Sequence, residues 1–328
     1  MSPSVSVAIH ASQFPERVQR DLLVSLRTRR VNHKFHYDSY KQAAKWLALH
    51  EAHSPARTDP ACAAIYDSAF EAAARQAGSA CVHVIGLGCG GGQKEERLLR
   101  LLSGQGRRVS FTPCDVSLPL VLTAHRAAAA IIPKAQSQPA VCDLAGADDL
   151  TEFLDGGMNR QAERLVTFFG MIPNFEPSVI LPRLAGFLRP QDWLLFSANL
   201  APGPDYLAGV CRVLPGYDNA LTRDWLLTFL FDLGVEAKDG ELSFAIEDGE
   251  EGLARIAADF EFSRNRTVRV AGTEFDFCAG EVVRLFFSYR YTPARVATML
   301  RRYRIDMDQQ WVTPSEEEGV FLCRTERS

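Results

Sequence analysis

Apolar and polar positions along this chain fall into blocks whose spacing alternates between the strand period of about two and the helical period of about 3.6. Val82-His83-Val84-Ile85 is a short apolar run, Gly86-Leu87-Gly88-Cys89-Gly90-Gly91-Gly92 interrupts it, and Glu95 to Leu102 repeats its leucines at helical spacing. A strand, a tight turn and a helix are predicted in that order, the first unit of a doubly wound sheet. The alanine-rich residues 60 to 78 predict the helix that leads into it. Downstream, Val109 to Asp115 reads as a strand, Leu118 to Ala130 as a helix broken at Pro133, and Ala140 to Leu144 as a short strand. Asp148 to Met158 and Gln161 to Arg164 bracket a further helix. Arg164 to Gly170 is apolar throughout, as the centre of a parallel sheet requires. A helix starting near Pro177 and ending over Pro182 to Pro190 precedes the strand Asp192 to Leu200.

From Tyr206 to about Gly280 the alternation of strand and helix lapses. Helical Leu221 to Leu233 is followed by Leu242 to Ile246, Phe260 to Arg266, Thr267 to Val270 and Thr273 to Phe277, segments typical of antiparallel strands joined by Asp-Gly and Ala-Gly turns. The main fold is expected to resume with Val282 to Tyr291, the helix Pro293 to Tyr303, and a closing hairpin of Gln310 to Val312 with Gly319 to Cys323. The expected organisation is therefore an N-terminal helical part over 1–60, an α/β sheet domain over 61–205, an inserted α+β cap over 206–280, and a return to the sheet over 281–328.

Composition narrows the partners. Charged residues make up 23% and apolar residues 47%, the balance of a globular chain with ample core, and a net charge of -4 gives no reason to expect nucleic acid or an anionic membrane. A small ligand is expected instead. The eight cysteines are scattered, without C-x-x-C or cysteine-histidine spacing, so they read as buried thiols and no metal site is expected. The N-terminal 30 residues lack the apolar core of a signal peptide, and no run of eighteen apolar residues occurs, so a cytoplasmic setting is expected.

The candidate chemistry lies in the loops that follow the strands. Glycines at 86, 88 and 90 allow a backbone to approach a ligand closely, and Gly86-x-Gly88-x-x-Gly91 also satisfies the looser dinucleotide pattern. Asp115 ends its strand where a ribose would be held, a group that nicotinamide and S-adenosylmethionine cofactors share. Asp143 ends the next, placed for the base or ribose. Asn174, past the central strand, either caps the following helix or bonds a substrate's amino and carboxylate groups. Val31 to Tyr40, crowded with aromatics and histidines, reads equally as a ligand-facing surface or as an amphipathic segment packed on the sheet.

Taken together, Phe35-His36-Tyr37-Asp38, Pro55-Ala56-Arg57-Thr58, the glycine loop with Lys94, Pro113-Cys114-Asp115-Val116-Ser117, Cys142-Asp143-Leu144, Phe169-Gly170 to Asn174-Phe175, Gly216-Tyr217-Asp218, and Glu281-Val282-Val283-Arg284 to Ser288-Tyr289-Arg290-Tyr291-Thr292 resemble the ergothioneine-pathway histidine Nα-methyltransferases over nearly the whole chain. The resemblance implies a Rossmann-like class I methyltransferase sheet with an added α+β substrate domain, built from the N-terminal segment and the insertion. It implies S-adenosyl-L-methionine as cofactor, with Gly86, Gly88 and Lys94 around its amino-acid half, Asp115 on its ribose, and Asp143 and Leu144 at its adenine. Tyr37, Asn174 and Tyr217 would hold the substrate's amine and carboxylate.

Departures from that pattern shape the expected acceptor. Where the family places a glutamate two positions before its serine to grip imidazole, this chain has Phe286 before Ser288; His53-Ser54 replace a tyrosine, and Ala258 stands for a pocket methionine. Leaving imidazole donors unpaired against Phe286 would cost about 1–3 kcal/mol each. Free histidine is thus not expected as acceptor. The expected reaction is methylation of the α-amine of another amino acid or derivative, one with an apolar or aromatic side chain. An alternative makes the cofactor its own substrate: a pocket of Phe175, Tyr217, Phe286 and Phe287 would fold it so that its amine attacks its γ-carbon, releasing methylthioadenosine and azetidine-2-carboxylate. A second alternative is cofactor binding without catalysis.

Overall fold

The computed structural model describes residues 4–155 and 162–325. In chain order the strands are β1 (Ala8–Ile9), β2 (Cys81–Leu87), β3 (Arg108–Asp115), β4 (Ala140–Val141), β5 (Glu163–Phe169), β6 (Trp193–Asn199), β7 (Gly240–Asp248), β8 (Ala254–Phe262), β9 (Arg266–Val270), β10 (Thr273–Phe277), β11 (Val282–Tyr289), β12 (Ile305–Val312) and β13 (Glu318–Thr325). Eight of them form one sheet in the order β1-β4-β3-β2-β5-β6-β13-β12. The first six run parallel, while β13 is antiparallel to both β6 and β12. This is the expected Rossmann-like α/β sheet with a closing hairpin.

Apolar content on both faces makes the sheet central. Val82, Val84, Leu165 and Leu195 pack on one side against the helices Pro60–Gln76 and Gln93–Gly104, and Ile85, Val166, Phe168 and Phe196 pack on the other with the helix Pro177–Phe187. Because the parallel strands are in register (Leu87 beside Cys114, Gly86 beside Thr167, Phe169 beside Ser197), their carboxyl ends finish along one edge. The loops that carry the candidate chemistry therefore meet there.

A separate core joins the N-terminal segment to the inserted strands. Leu26, Val31 and Phe35 pack with Trp225, Phe229, Phe260, Phe262 and Phe286. Here the structure corrects one expectation: β11 does not return to the main sheet but forms an antiparallel three-stranded sheet with β8 and β7. Five of its eight residues are buried, Val283, Leu285, Phe286, Ser288 and Tyr289, and the N-terminal segment packs with Val283, Leu285 and Phe286. The chain rejoins the main sheet at Tyr291, which bridges to Leu200.

Smaller corrections concern thiols and boundaries. Cys211 and Cys278 are exposed rather than buried. The helix expected over Asp148 to Met158 spans Leu150–Asp155 among the described residues, and Gln161 lies outside them. Among the described residues no helix is long and apolar enough to cross a membrane, and no cluster of metal ligands occurs.

Phe168 sits in the middle of β5, 1% exposed and stacked on Phe196 at 5.8 Å. Phe168→Ala is expected to lower the unfolding free energy by about 3–5 kcal/mol, read as an earlier urea midpoint; a midpoint unchanged from the parent protein would show that this stack is not central to the core.

Candidate active site

At the carboxyl edge lies a cavity of about 290 Å³. Its floor is the turn after β2. Gly88 and Gly90 have φ of +68° and +53°, and a Cβ at either would strike Met171 or Trp46 at 2.3 and 2.6 Å, so both positions require glycine on conformational and steric grounds. The turn is tied to the next strand, since the Gly88 amide donates to the Cys114 carbonyl at 2.8 Å and the Gly90 amide to Asp115 Oδ2 at 2.9 Å. The Ser117 amide donates to Asp115 Oδ1 at 3.0 Å. Burial pushes the Asp115 carboxyl up to about 6, against the pull of these amides. Two amides use only part of the roughly four acceptor sites of a carboxylate. The remainder are available to the vicinal hydroxyls of a ribose.

Neighbouring walls extend the site. Asp143 and Leu144 border it, with the Asp143 carboxylate accepting from the amides of Ala145 and Gly146 at 3.1 and 3.2 Å and facing Lys34 at 3.5 Å. Lys94 Nζ donates to Tyr66 Oη at 2.8 Å, and Tyr66 in turn reaches Glu318 and Ser197. Glu95 is buried beside it and accepts from Thr167 at 2.8 Å; burial raises its carboxyl, with the threonine bond opposing. Gly86 is absent from the cavity wall. A Cβ there would crowd Cys89 at 3.0 Å and Phe111 at 3.3 Å, so it serves the close packing of turn, strand and helix.

Asn174, Phe175 and Tyr37 also border the cavity, with the Tyr37 ring 5.9 Å from Trp46, which lies over Gly90. The Asn174 carboxamide and the Tyr37 hydroxyl have no hydrogen-bond partner among the described residues, leaving both for a ligand. Burial, reinforced by Asp115, raises the Tyr37 phenol above its ordinary range, so it remains a neutral donor. Tyr217, Phe286 and Ser288 do not border the cavity. Tyr217 Oη pairs with Ser288 Oγ at 2.8 Å and accepts from Arg290 at 2.9 Å, while Phe286 packs against Trp225 and His33. These three form a layer that does not reach the cavity wall, Tyr217 from the turn after Leu214–Gly216 and the other two from β11.

The sequence reading did not single out several wall residues as site residues. Trp46 covers the glycine turn and stacks on His50 at 4.9 Å; burial, then Lys94 and Arg57, bring the His50 imidazole down to about 3. His33, Glu95, Met171, Asn199 and Glu318 also border the cavity. The crowding of rings and histidines over Val31 to Tyr40 and Trp46 to His50 is the signal for His33, Trp46 and His50.

A family model described as a histidine-specific, SAM-dependent methyltransferase matches residues 19–325. The chain belongs to that family. Its cofactor is S-adenosylmethionine, and the glycine turn with Asp115 suits that group's ribose. No curated protein matches the chain. Solved structures similar to it include the CcbJ methyltransferase of Streptomyces caelestis, 14% identical, covering 80% of this chain and 89% of that one at a TM-score of 0.42. Magnesium protoporphyrin IX methyltransferase of Synechocystis PCC 6803, with bound SAH, is 11% identical, covering 90% and 98% at a TM-score of 0.47. The 1,6-didemethyltoxoflavin-N1-methyltransferase of Burkholderia thailandensis is 13% identical, covering 88% and 89% at a TM-score of 0.46.

Asp115→Asn is expected to weaken S-adenosylmethionine binding about 10- to 100-fold, the range for losing hydrogen bonds to a charged group. In the parent protein affinity should fall as the pH drops below about 6, because a proton on the raised Asp115 carboxyl competes with the ribose hydroxyls. The asparagine variant should lose that dependence. Calorimetric titration between about pH 5 and 8 checks both, and an unchanged affinity in the variant would remove Asp115 from the ribose site.

Proposed function

We propose that this methyltransferase transfers a methyl group to the α-amine of an amino acid or amino-acid derivative other than free histidine. The observation that carries this reading is the pair of unspent neutral groups, the Asn174 carboxamide and the Tyr37 hydroxyl, on the wall of the cavity that the glycine turn also borders. S-adenosylmethionine, when bound, supplies a methyl group on a sulfonium sulfur. The protein's task is to hold a neutral amine in line with that methyl at about 3–3.5 Å. Asn174 Oδ1 accepts from the amine and keeps its lone pair directed. The Tyr37 hydroxyl donates to the acceptor's carboxylate. As the nitrogen-carbon bond forms and the sulfur-carbon bond breaks, the spare amine proton leaves to water, so no strong base is required. Gly88, Lys94, Asp115, Asp143 and Leu144 line the cofactor half; Gly86 shapes it from behind. The reading keeps a small molecule as partner and a cytoplasmic setting.

Two features weigh against free histidine. Phe286 stands where the resemblance expects an imidazole-gripping glutamate, and the imidazole packed against it is the protein's own His33, at 5.2 Å. A second reading draws on the same region: Tyr217, expected to hold the acceptor, spends its hydroxyl on Ser288 and Arg290. With that contact gone, the cofactor's own amine becomes a competitor for Asn174. Attack on its γ-carbon would break the bond to sulfur and release azetidine-2-carboxylate, methylthioadenosine and a proton. A purely binding role is disfavoured by the free carboxamide beside the reacting centre.

Product identity decides among these. Incubated with S-adenosylmethionine and a panel of amino acids, the protein should yield S-adenosylhomocysteine and an N-methylated amino acid only when an acceptor is present. Methylthioadenosine formed without any acceptor would replace methylation by cyclisation, and the absence of both products would leave binding alone. Asn174→Ala should lower kcat/KM about 100-fold or more, the scale for a positioning group.

A further inference from the structure

His33 lies on the short 3-10 turn His33–His36 and borders the cavity between Asn32 and Lys34. The turn is fixed on both sides of it. The Val31 amide donates to the Arg284 carbonyl at 2.9 Å, His36 Nε2 donates to the Leu285 carbonyl at 2.7 Å, and Trp225 Nε1 donates to the His36 carbonyl at 2.7 Å. Leu285 can receive His36 because it falls at the bulge of β11 and is left out of the ladder to β8. The next two residues, Phe286 and Phe287, then form a platform for the His33 ring, at 5.2 and 4.7 Å between centroids.

Packing thus holds the ring while its polar atoms go unused. Both His33 nitrogens are shielded from solvent and neither has a hydrogen-bond partner. Burial, then His36 and Arg255, bring its imidazole down to about 3, so it carries one N–H and one lone pair rather than a charge. An idle buried donor beside an idle buried acceptor is a costly arrangement that a native structure keeps for a reason. A rigid polar ring on a cavity wall, backed by aromatics, is the form a recognition group takes.

We propose that His33 reads the acceptor's side chain, favouring an uncharged group that both donates and accepts a hydrogen bond, a carboxamide or a hydroxyl, over an apolar side chain of the same shape. The proposal rests on the reading that an amino acid enters this cavity, and it replaces the expectation of an apolar acceptor, because Phe286 lies behind His33. A site built around polar atoms rejects analogues that leave those atoms unpaired.

The test uses isosteric pairs, asparagine against leucine and threonine against valine, titrated calorimetrically into the protein loaded with S-adenosylhomocysteine, so that no turnover is needed. The polar member of each pair should bind about tenfold tighter or more. His33→Phe, which keeps a ring and removes both nitrogens, should erase that preference while leaving S-adenosylhomocysteine affinity within about twofold. Should that variant fail to fold, the parent protein labelled with 15N-histidine gives a second measurement: the His33 ring-nitrogen resonances must shift when asparagine is added. Equal binding within the pairs, a preference that survives in the variant, unmoved resonances, or no amino acid bound at all would each overturn the proposal. Supplying the same amino acids with S-adenosylmethionine separates the two claims. Methyl transfer indifferent to His33 sinks this inference alone, and side-chain preference without methylated product sinks the methyl-transfer reading alone.

Discussion

The hydrogen bond from the Gly90 amide to the Asp115 carboxylate is the constraint on which the site depends. It fixes how far the glycine turn stands from the end of the neighbouring strand, and so the width of the slot between them. Because Gly90 has a positive φ and Trp46 lies 2.6 Å from where its Cβ would be, the turn is pressed from above by the N-terminal segment while it is held from the side by Asp115. One small residue thus couples the turn after β2, the end of β3 and the N-terminal segment. The carboxylate that anchors the turn also borders the cavity with acceptor sites to spare, so if it holds the ribose as proposed, loop geometry and cofactor affinity share one set of atoms.

Low charge on the acceptor side is the second organising feature. Burial keeps His33, His36 and His50 neutral near physiological pH and keeps Tyr37 protonated. The carboxylates on the cavity wall, Glu95, Asp115, Asp143 and Glu318, each already accept a hydrogen bond, from Thr167, from backbone amides or from the Tyr66 hydroxyl. On the proposed reading, an amine acceptor held by Asn174 and Tyr37 meets neutral groups that orient it. For displacement at a sulfonium methyl that is the useful environment, since only the neutral amine has a lone pair to give.

How much of this could be read from the chain depends on how local each feature is. The glycine turn, Asp115 at the end of its strand and Asn174 beyond the central strand are set by short stretches in which turn chemistry and apolar period agree, and they fall where expected. The position of β11 is not local. Val283 to Tyr289 is mostly apolar, interrupted by Arg284 and Ser288, and nothing in its own residues says that its cover comes from Leu26, Val31 and Phe35 some 250 positions away. The layer formed by Tyr217, Ser288 and Phe286 is hidden for a related reason. Their residue types suit a pocket, but Tyr217 is paired with Ser288 and Arg290 and Phe286 with Trp225 and His33, contacts between segments far apart in sequence.

The bulge at Leu285 explains how an acceptor wall can change while the cofactor half stays put. The cofactor half is built from strand ends of the main sheet, whose register ties every loop to its neighbours. The acceptor wall is built from a segment that touches β11 through a few hydrogen bonds, those of Val31 and His36, and otherwise through ring packing. Exchanging one side chain in that contact, such as a carboxylate for Phe286, moves no strand. It alters which ring of the N-terminal turn can lie in front of it, because an aromatic platform accepts the edge of an imidazole where a carboxylate would bind its N–H. On the proposed reading, the pairing of the 31–37 segment with the β11 bulge is what positions His33 on the cavity wall.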